Sequence, residues 1–342
     1  MTRERLVTGK PTSNEEEEFT WSLRPKTIDE YIGQRNIVEK LSISIEASNR
    51  RNEPHEHLIL YGPPGLGKTT LAHIIAREKN TRLVTTSGPS LTRIADLMGI
   101  LTNLEKCDIL FVDEIHRLPK TVEEFIYPAM EDFRVDFVVD KGPFSKVINV
   151  PLKRFTLIGA TTRVGLLSAP LRDRFGISYH LDFYPSDEIQ KIVLRSARIL
   201  NVEIDDEGAQ IIADRSRGTP RVANRLLRRV RDYALVRADG FITPDIAGKS
   251  LTMEGVDNRG LDDLDRSLLK VIIEYYNGGP VGIDAIAATL SEEVDTLEEL
   301  VEPYLLKIGF LMRTKRGRTV SPEAYRHLGI KWKGTAQGSL FE

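Results

Sequence analysis

The chain holds 342 residues, 41% hydrophobic and 29% charged, with 48 Lys and Arg against 50 Asp and Glu for a formal net charge of -2. That length suits about two domains, or three small ones. The balance excludes wholesale disorder, collagen-like repeats and a simple polycationic DNA coat, although nucleic-acid binding depends on where the charge sits.

A single cysteine, Cys107, cannot form an internal disulfide, and no Cys/His cluster has zinc spacing. No apolar run approaches the ~20 residues of a membrane span. No apolar signal-peptide core precedes Trp21. A soluble cytoplasmic protein with no membrane partner is expected.

In chain order, residues 1–20 are polar and carry the acidic run Glu15 to Glu18, which reads as a flexible N-terminal arm. Over 21–184, the short apolar runs Leu58–Tyr61, Leu83–Thr86, Ile109–Val112 and Thr156–Gly159 alternate with helical segments. Such runs suit the buried strands of a parallel sheet. Residues 134–150 break the rhythm and read as an inserted hairpin. From 185 to 255 the signals are helical: Ser186 precedes Asp187 and Glu188, and Thr219 precedes Pro220. A linker falls at Met253 to Gly260. Within 256–342 come a helix over Asp262–Tyr276, a Gly-Gly-Pro break, a short helix, and a longer helix up to Ile308. Two short strands follow around Arg313 to Gly317, the order of a winged helix. The expected fold is therefore an α/β P-loop core with a parallel sheet, a small helical domain and a C-terminal winged helix.

Gly62-Pro63-Pro64-Gly65-Leu66-Gly67-Lys68-Thr69 fits G-x-x-x-x-G-K-[ST] at every fixed position, after a strand and before a helix. Gly65 and Gly67 let backbone N–H groups wrap phosphates at the helix start, which also holds Thr70. Lys68 is placed to reach the β- and γ-phosphates, and the Thr69 hydroxyl to ligate Mg²⁺. Downstream, Ile109 to Val112 is an apolar strand ending in Asp113 and Glu114. Asp113 would hold Mg²⁺ through water and Glu114 would polarise the attacking water. ATP and Mg²⁺ are the expected cofactors.

With these parts in place, the layout resembles an AAA+ ATPase. Thr156 to Arg163 is similar to a sensor 1 strand, with Thr162 the best match and Thr161 its alternative. Ser168 to Phe175 resembles the segment that supplies an arginine finger; Arg174 is favoured, with Arg172 the alternative. Gly218-Thr219-Pro220-Arg221 resembles sensor 2, with Arg221 reaching the γ-phosphate from the helical domain, here a lid. Further motifs resemble the RuvB family of bacterial Holliday-junction branch-migration motors: Leu23 to Gln34, Asp113 to Leu118, Tyr127 to Phe133, Gly159 to Gly165, Gly278 to Gly282 and Glu302 to Leu305. That resemblance implies nucleotide contacts from Leu23, Arg24 and Tyr184 on the adenine and ribose side, and from Glu131, Asp132 and Phe133. It further implies a homohexamer completed by trans-acting fingers, docking of a RuvA tetramer on the hairpin 134–150, and RuvC resolvase as a second partner.

The charges of the last domain divide. Glu292, Glu293, Asp295, Glu298, Glu299 and Glu302 stand against Lys307 alone on the helix that would ordinarily enter the major groove, so base reading through it is disfavoured. Arg313, Lys315, Arg316 and Arg318 crowd the wing, and Arg313, Arg316 and Arg318 are taken as sequence-independent phosphate contacts. The arginines of 215–237 are read as mostly structural. The expected function is an ATP-driven motor that translocates duplex DNA and migrates Holliday junctions in recombination and repair. The alternative is an ATP-gated DNA-binding switch or loader.

Overall fold

The computed structural model describes residues 21–139 and 146–332. The arm expected at 1–20 and the tip of the hairpin expected at 134–150 lie outside the described residues. The described chain falls into two compact units. The first runs to Ile192 and takes in Thr219–Arg221; the second comprises Val193–Gly218 and the residues from Val222 onward.

The first unit begins with α1 (Arg35–Arg50), β1 (Leu58–Tyr61), α2 (Lys68–Glu78), β2 (Leu83–Ser87), α3 (Ile94–Leu101), β3 (Ile109–Asp113) and α4 (Lys120–Glu131). It continues with the antiparallel pair β4 (Arg134–Val139) and β5 (Lys146–Pro151), then β6 (Thr156–Thr161), α5 (Ala169–Asp173) and β7 (Ile177–His180). Five strands form one parallel sheet in the order β2-β3-β6-β1-β7. Its central strands are buried on both faces and read as unbroken apolar runs. Leu110, Val112 and Leu157 join Leu97, Val122, Ile126 and Phe155 in the core against α3 and α4.

The strands run further than the apolar runs alone indicate. Ser87 pairs with Asp113, and Tyr61 with Thr161, so polar residues still belong to the ladder at its carboxyl edge. Strand β7 was not among the expected runs. It is an edge strand of alternating burial, Ile-Ser-Tyr-His, and lacks the continuous apolar signal of a buried strand.

In the second unit, α6 (Ser186–Ile199), whose first residues belong to the other unit, is followed by α7 (Asp206–Arg215), α8 (Pro220–Arg237) and α9 (Pro244–Met253). Pro220 and Pro244 open their helices, where a missing N–H costs nothing. The winged helix then comprises α10 (Asp263–Tyr275), α11 (Ile283–Leu290), α12 (Val294–Thr296), α13 (Glu302–Lys307), β8 (Leu311–Thr314), β9 (Gly317–Val320) and α14 (Pro322–His327). Leu268, Ile272, Ile286, Leu297, Leu305 and Phe310 form its core.

The helix expected to run unbroken to Ile308 is interrupted. Leu297–Val301 is a π-helical turn between α12 and α13. Pro303 lies just beyond it, at the start of α13; it has no N–H for the ladder and its ring crowds the preceding turn. A widened turn absorbs both effects. The segment 253–260, expected as a linker, is pinned at two points: Arg215 Nη1 donates to the Val256 carbonyl at 3.1 Å and Arg217 Nε to the Gly260 carbonyl at 2.8 Å. The Arg217 guanidinium also pairs with the fully buried Asp265 carboxylate at the start of α10 and stacks 5.0 Å above the Tyr304 ring.

Candidate nucleotide and DNA sites

The register of the sheet assembles the first site. β1 delivers the glycine loop, β3 ends in Asp113, and β6, lying between them, ends in Thr161 with Thr162 just beyond. Chemistry at the carboxyl edge of a parallel sheet, where strand order reverses, follows from this topology. Gly67 sits at φ 101, and a Cβ there would approach the Tyr31 hydroxyl to 2.7 Å. Glycine is therefore required where the loop turns into α2. Lys68 and Thr69 begin that helix, whose first N–H groups have no partner within it, and Thr70 follows, buried.

The Lys68 side chain is buried, and its Nζ donates to the carbonyls of Gly62 at 2.7 Å and Pro63 at 2.9 Å. Burial pushes its pKa down to about 8, against the pull of Asp113, with Arg221 adding to the lowering. Two carboxylates, Asp113 and Glu114, and a second cation, Arg221, thus act on the P-loop lysine. Asp113 accepts the Glu114 N–H at 2.9 Å. Glu114 takes a left-handed backbone at φ 46, and its Oε2 accepts from Arg117 Nη1 at 3.1 Å.

Thr161 and Thr162 differ in what their hydroxyls do. Thr161 Oγ1 accepts the Arg163 N–H at 3.0 Å and bonds His116 Nδ1 at 2.9 Å. Thr162 Oγ1 is shielded from solvent with no hydrogen-bond partner among the described residues. A shielded hydroxyl left unpaired is costly unless something else satisfies it.

Tyr31 was not singled out in the sequence. Its hydroxyl accepts a hydrogen bond from Tyr184 at 2.9 Å, and both hydroxyls reach the Leu66 carbonyl of the loop, at 3.5 and 3.3 Å. Burial pushes the Tyr184 pKa up to about 12. Tyr31 lies within the Leu23 to Gln34 segment that resembles the family, but its place against the loop is set by the fold. Leu23 is buried, and the Arg24 guanidinium lies 4.6 Å over Trp21.

A second group forms around Arg174. Its Nε lies 3.2 Å from Glu131 Oε1, its Nη1 donates to the Pro170 carbonyl at 2.7 Å, and its guanidinium stacks 4.2 Å over Tyr127. Arg174 and Glu131, separate motifs in the sequence, are thus neighbours, whereas Arg172 is exposed. Asp132 pairs with Arg134 at 3.1 Å, and Phe133 packs edge-on to Phe155.

Among the described residues no group of three or more His, Cys, Asp or Glu could hold a metal. The donors expected for Mg²⁺ are one hydroxyl, Thr69, and one carboxylate, Asp113. Mg²⁺ takes few protein ligands alongside water and substrate phosphates, so these residues fit it.

The comparisons decide the family. The description "Holliday junction DNA helicase RuvB P-loop domain" matches residues 23–181, "RuvB AAA lid domain" residues 184–257, and "RuvB C-terminal winged helix domain" residues 258–329. The chain belongs to the RuvB family. It is 56% identical over 328 residues to the Holliday junction branch migration complex subunit RuvB of Desulfosudis oleivorans, covering 96% of each chain. Against the same subunit of Kosmotoga olearia it is 55% identical over 327 residues, covering 96% of this chain and 95% of the other. The solved RuvB branch migration motor of Thermotoga maritima matches with a TM-score of 0.84 and 52% identity, over 91% of this chain and 99% of that one. The RuvB fold thus comprises the P-loop ATPase core, the lid and the winged helix. The activity is that of the family: nucleotide binding and ATP hydrolysis coupled to branch migration of Holliday junctions, in DNA recombination and repair. No helix of the described residues is long and apolar enough to cross a membrane.

In the winged helix of this RuvB chain, β8 and β9 close through a turn holding Lys315 and Arg316, both exposed. Gly317, at φ 133, takes this turn where a Cβ would meet the Val281 carbonyl at 2.3 Å. Arg313 stands directly across the ladder from Arg318. Neither is a bare cation. Glu302 accepts from Arg318 Nε and Nη2, both at 3.0 Å, and Glu298 Oε1 accepts from Arg318 Nη2 at 3.0 Å and Arg313 Nη2 at 3.2 Å. The acidic helix and the basic wing, opposite in charge, are paired by the fold.

Proposed function

We propose that the chain acts as one subunit of a ring, a homohexamer, in which each ATP site is completed by the neighbour's Arg174. In this reading Lys68 and the N–H groups of Gly65, Gly67, Thr69 and Thr70 hold the phosphates, Thr69 and Asp113 hold Mg²⁺, and Glu114 orients the attacking water. When bound, Mg²⁺ neutralises charge on the phosphate oxygens. Thr162 supplies the polar sensor, because its shielded hydroxyl has no partner while that of Thr161 is already engaged. That contrast at the end of β6, between the glycine loop and Asp113, is the observation that carries the reading. Arg221 acts as sensor 2, consistent with its electrostatic effect on Lys68. Leu23, Arg24 and Tyr184 flank the base and ribose, and Glu131, Asp132 and Phe133 join Arg174 on the surface presented to the neighbouring site.

The wing, through Arg313, Arg316 and Arg318, contacts duplex phosphates without reading sequence. The relatives are named as subunits of a branch migration complex; a RuvA tetramer docking on the hairpin and RuvC resolvase are the partners proposed, in the cytoplasm. Replacing Glu114 with Gln tests the catalytic core. ATP binding, followed by a fluorescent analogue, is expected to stay within about twofold, while turnover falls by at least about 100-fold. Wild-type turnover in that variant would remove Glu114 from the mechanism.

A further inference from the structure

Arg313 and Arg318 face each other directly across a two-stranded ladder. Like charges in that position repel and weaken the pairing. The repulsion is met from the helix side. Glu302, 3% exposed at its side chain, forms a two-point ion pair with Arg318 through Nε and Nη2 and lies 3.6 Å from Arg313 Nε. Glu298 bridges the Nη2 groups of both arginines. Its residue lies within the π-helical turn, and Glu302 follows that turn immediately. The irregular stretch of helix thus carries both carboxylates that meet the wing. A planar guanidinium gripped on one edge by a carboxylate is fixed in orientation. The Arg313 side chain remains 57% exposed, whereas that of Arg318, gripped by both carboxylates, is 10% exposed.

We infer that Glu302, with Glu298, is a positioning residue for DNA contact: it fixes the buried Arg318 and, with it, the exposed Arg313, so that Arg313 meets the phosphate backbone in a set pose, and an acid thereby strengthens DNA binding. This rests on the reading of the wing as the DNA contact. It also gives the acidic helix a task. Two of its carboxylates hold the wing, and the exposed Glu293 makes no such contact.

The test exploits opposite signs. Removing an acid from a DNA-facing domain raises its positive charge, and by long-range electrostatics alone binding tightens. Full-length Glu302→Gln, Glu298→Gln and Glu293→Gln variants are titrated with fluorescent random-sequence duplex at several salt concentrations, with melting curves recorded alongside. The positioning role predicts that Glu302→Gln and Glu298→Gln weaken binding about three- to tenfold, while Glu293→Gln leaves it unchanged or tighter. It also predicts that the Glu302→Gln effect disappears in an Arg318→Ala background. If Glu302→Gln lacks a cooperative melt, the Glu298→Gln result decides. Tighter binding by Glu302→Gln and Glu298→Gln, equal to that of Glu293→Gln, overturns the inference and leaves the wing reading standing. Arg313→Ala plus Arg316→Ala with unchanged binding removes the wing reading, and the inference with it.

Discussion

Individual side chains carry the chemistry, and two pairs of observations make it testable. In the proposed site Lys68 meets phosphates as a cation, yet burial pushes its pKa down to about 8 from the ordinary 10.5. Below about pH 8 the group is charged in the folded and unfolded chain alike, so the cost of burying it is fully present. Between about pH 8 and 10.5 the unfolded chain holds more protons, so in the nucleotide-free protein this group's contribution to stability rises with pH. Nucleotide affinity runs the other way: it is expected to fall about tenfold per pH unit above about 8, measured by analogue titration, because binding then requires proton uptake. A flat profile to pH 9.5 would contradict the burial argument. At the end of β6, Thr162→Val is expected to cut turnover by about 100-fold with the melting temperature held. Thr161→Val removes the hydroxyl that bonds the Arg163 N–H and the His116 ring, and is expected to cost about 1–3 kcal/mol of stability in denaturant unfolding. The reverse pattern would move the sensor role to Thr161.

At the level of elements, legibility in the sequence followed the physics of burial. The three central strands announce themselves because both faces are covered, so their apolar runs are continuous. The half-exposed β7 is visible only through its partner β1, and the helix break at Leu297–Val301 is signalled in sequence by Pro303 alone. The glycine loop and the Asp113-Glu114 pair were readable because their spacing is local. Tyr31 against the loop, Glu131 beside Arg174 and Glu302 against Arg318 were not, because each contact joins residues distant in the chain. Most telling is Arg217, one arginine among many in 215–237, which the fold buries against Asp265. Asp265 also accepts the Asp262 N–H at 2.8 Å, so one carboxylate serves a helix start and an ion pair. Asp265→Ala leaves a buried guanidinium without its charge partner and is expected to cost about 3–5 kcal/mol. A loss below about 1 kcal/mol in denaturant unfolding would show that this pair does not clip the lid to the winged helix.

Across the whole molecule, the near-neutral balance of 48 against 50 is a sum of local arrangements rather than a uniform surface. Carboxylates of the winged helix are spent on its own arginines, and the exposed Lys315 and Arg316 stand at the wing tip. A single such wing offers few phosphate contacts, and binding from several around one duplex multiplies weak contacts into useful affinity. The proposed ring brings several wings to one duplex, and in it Arg174 is proposed to act on a neighbour's site. Arg174 is held at the surface by Glu131, the Pro170 carbonyl and the Tyr127 ring, an arrangement that presents one guanidinium in a fixed pose. The most direct measurement is ATP turnover by mixtures of Arg174→Ala and Lys68→Ala subunits, each inactive alone. Recovery of a fraction of wild-type turnover, greatest near equal proportions, is the predicted result, because an Arg174→Ala subunit keeps a sound P-loop that a Lys68→Ala neighbour can complete. No recovery at any ratio, with mixed rings verified by mass, would contradict the account.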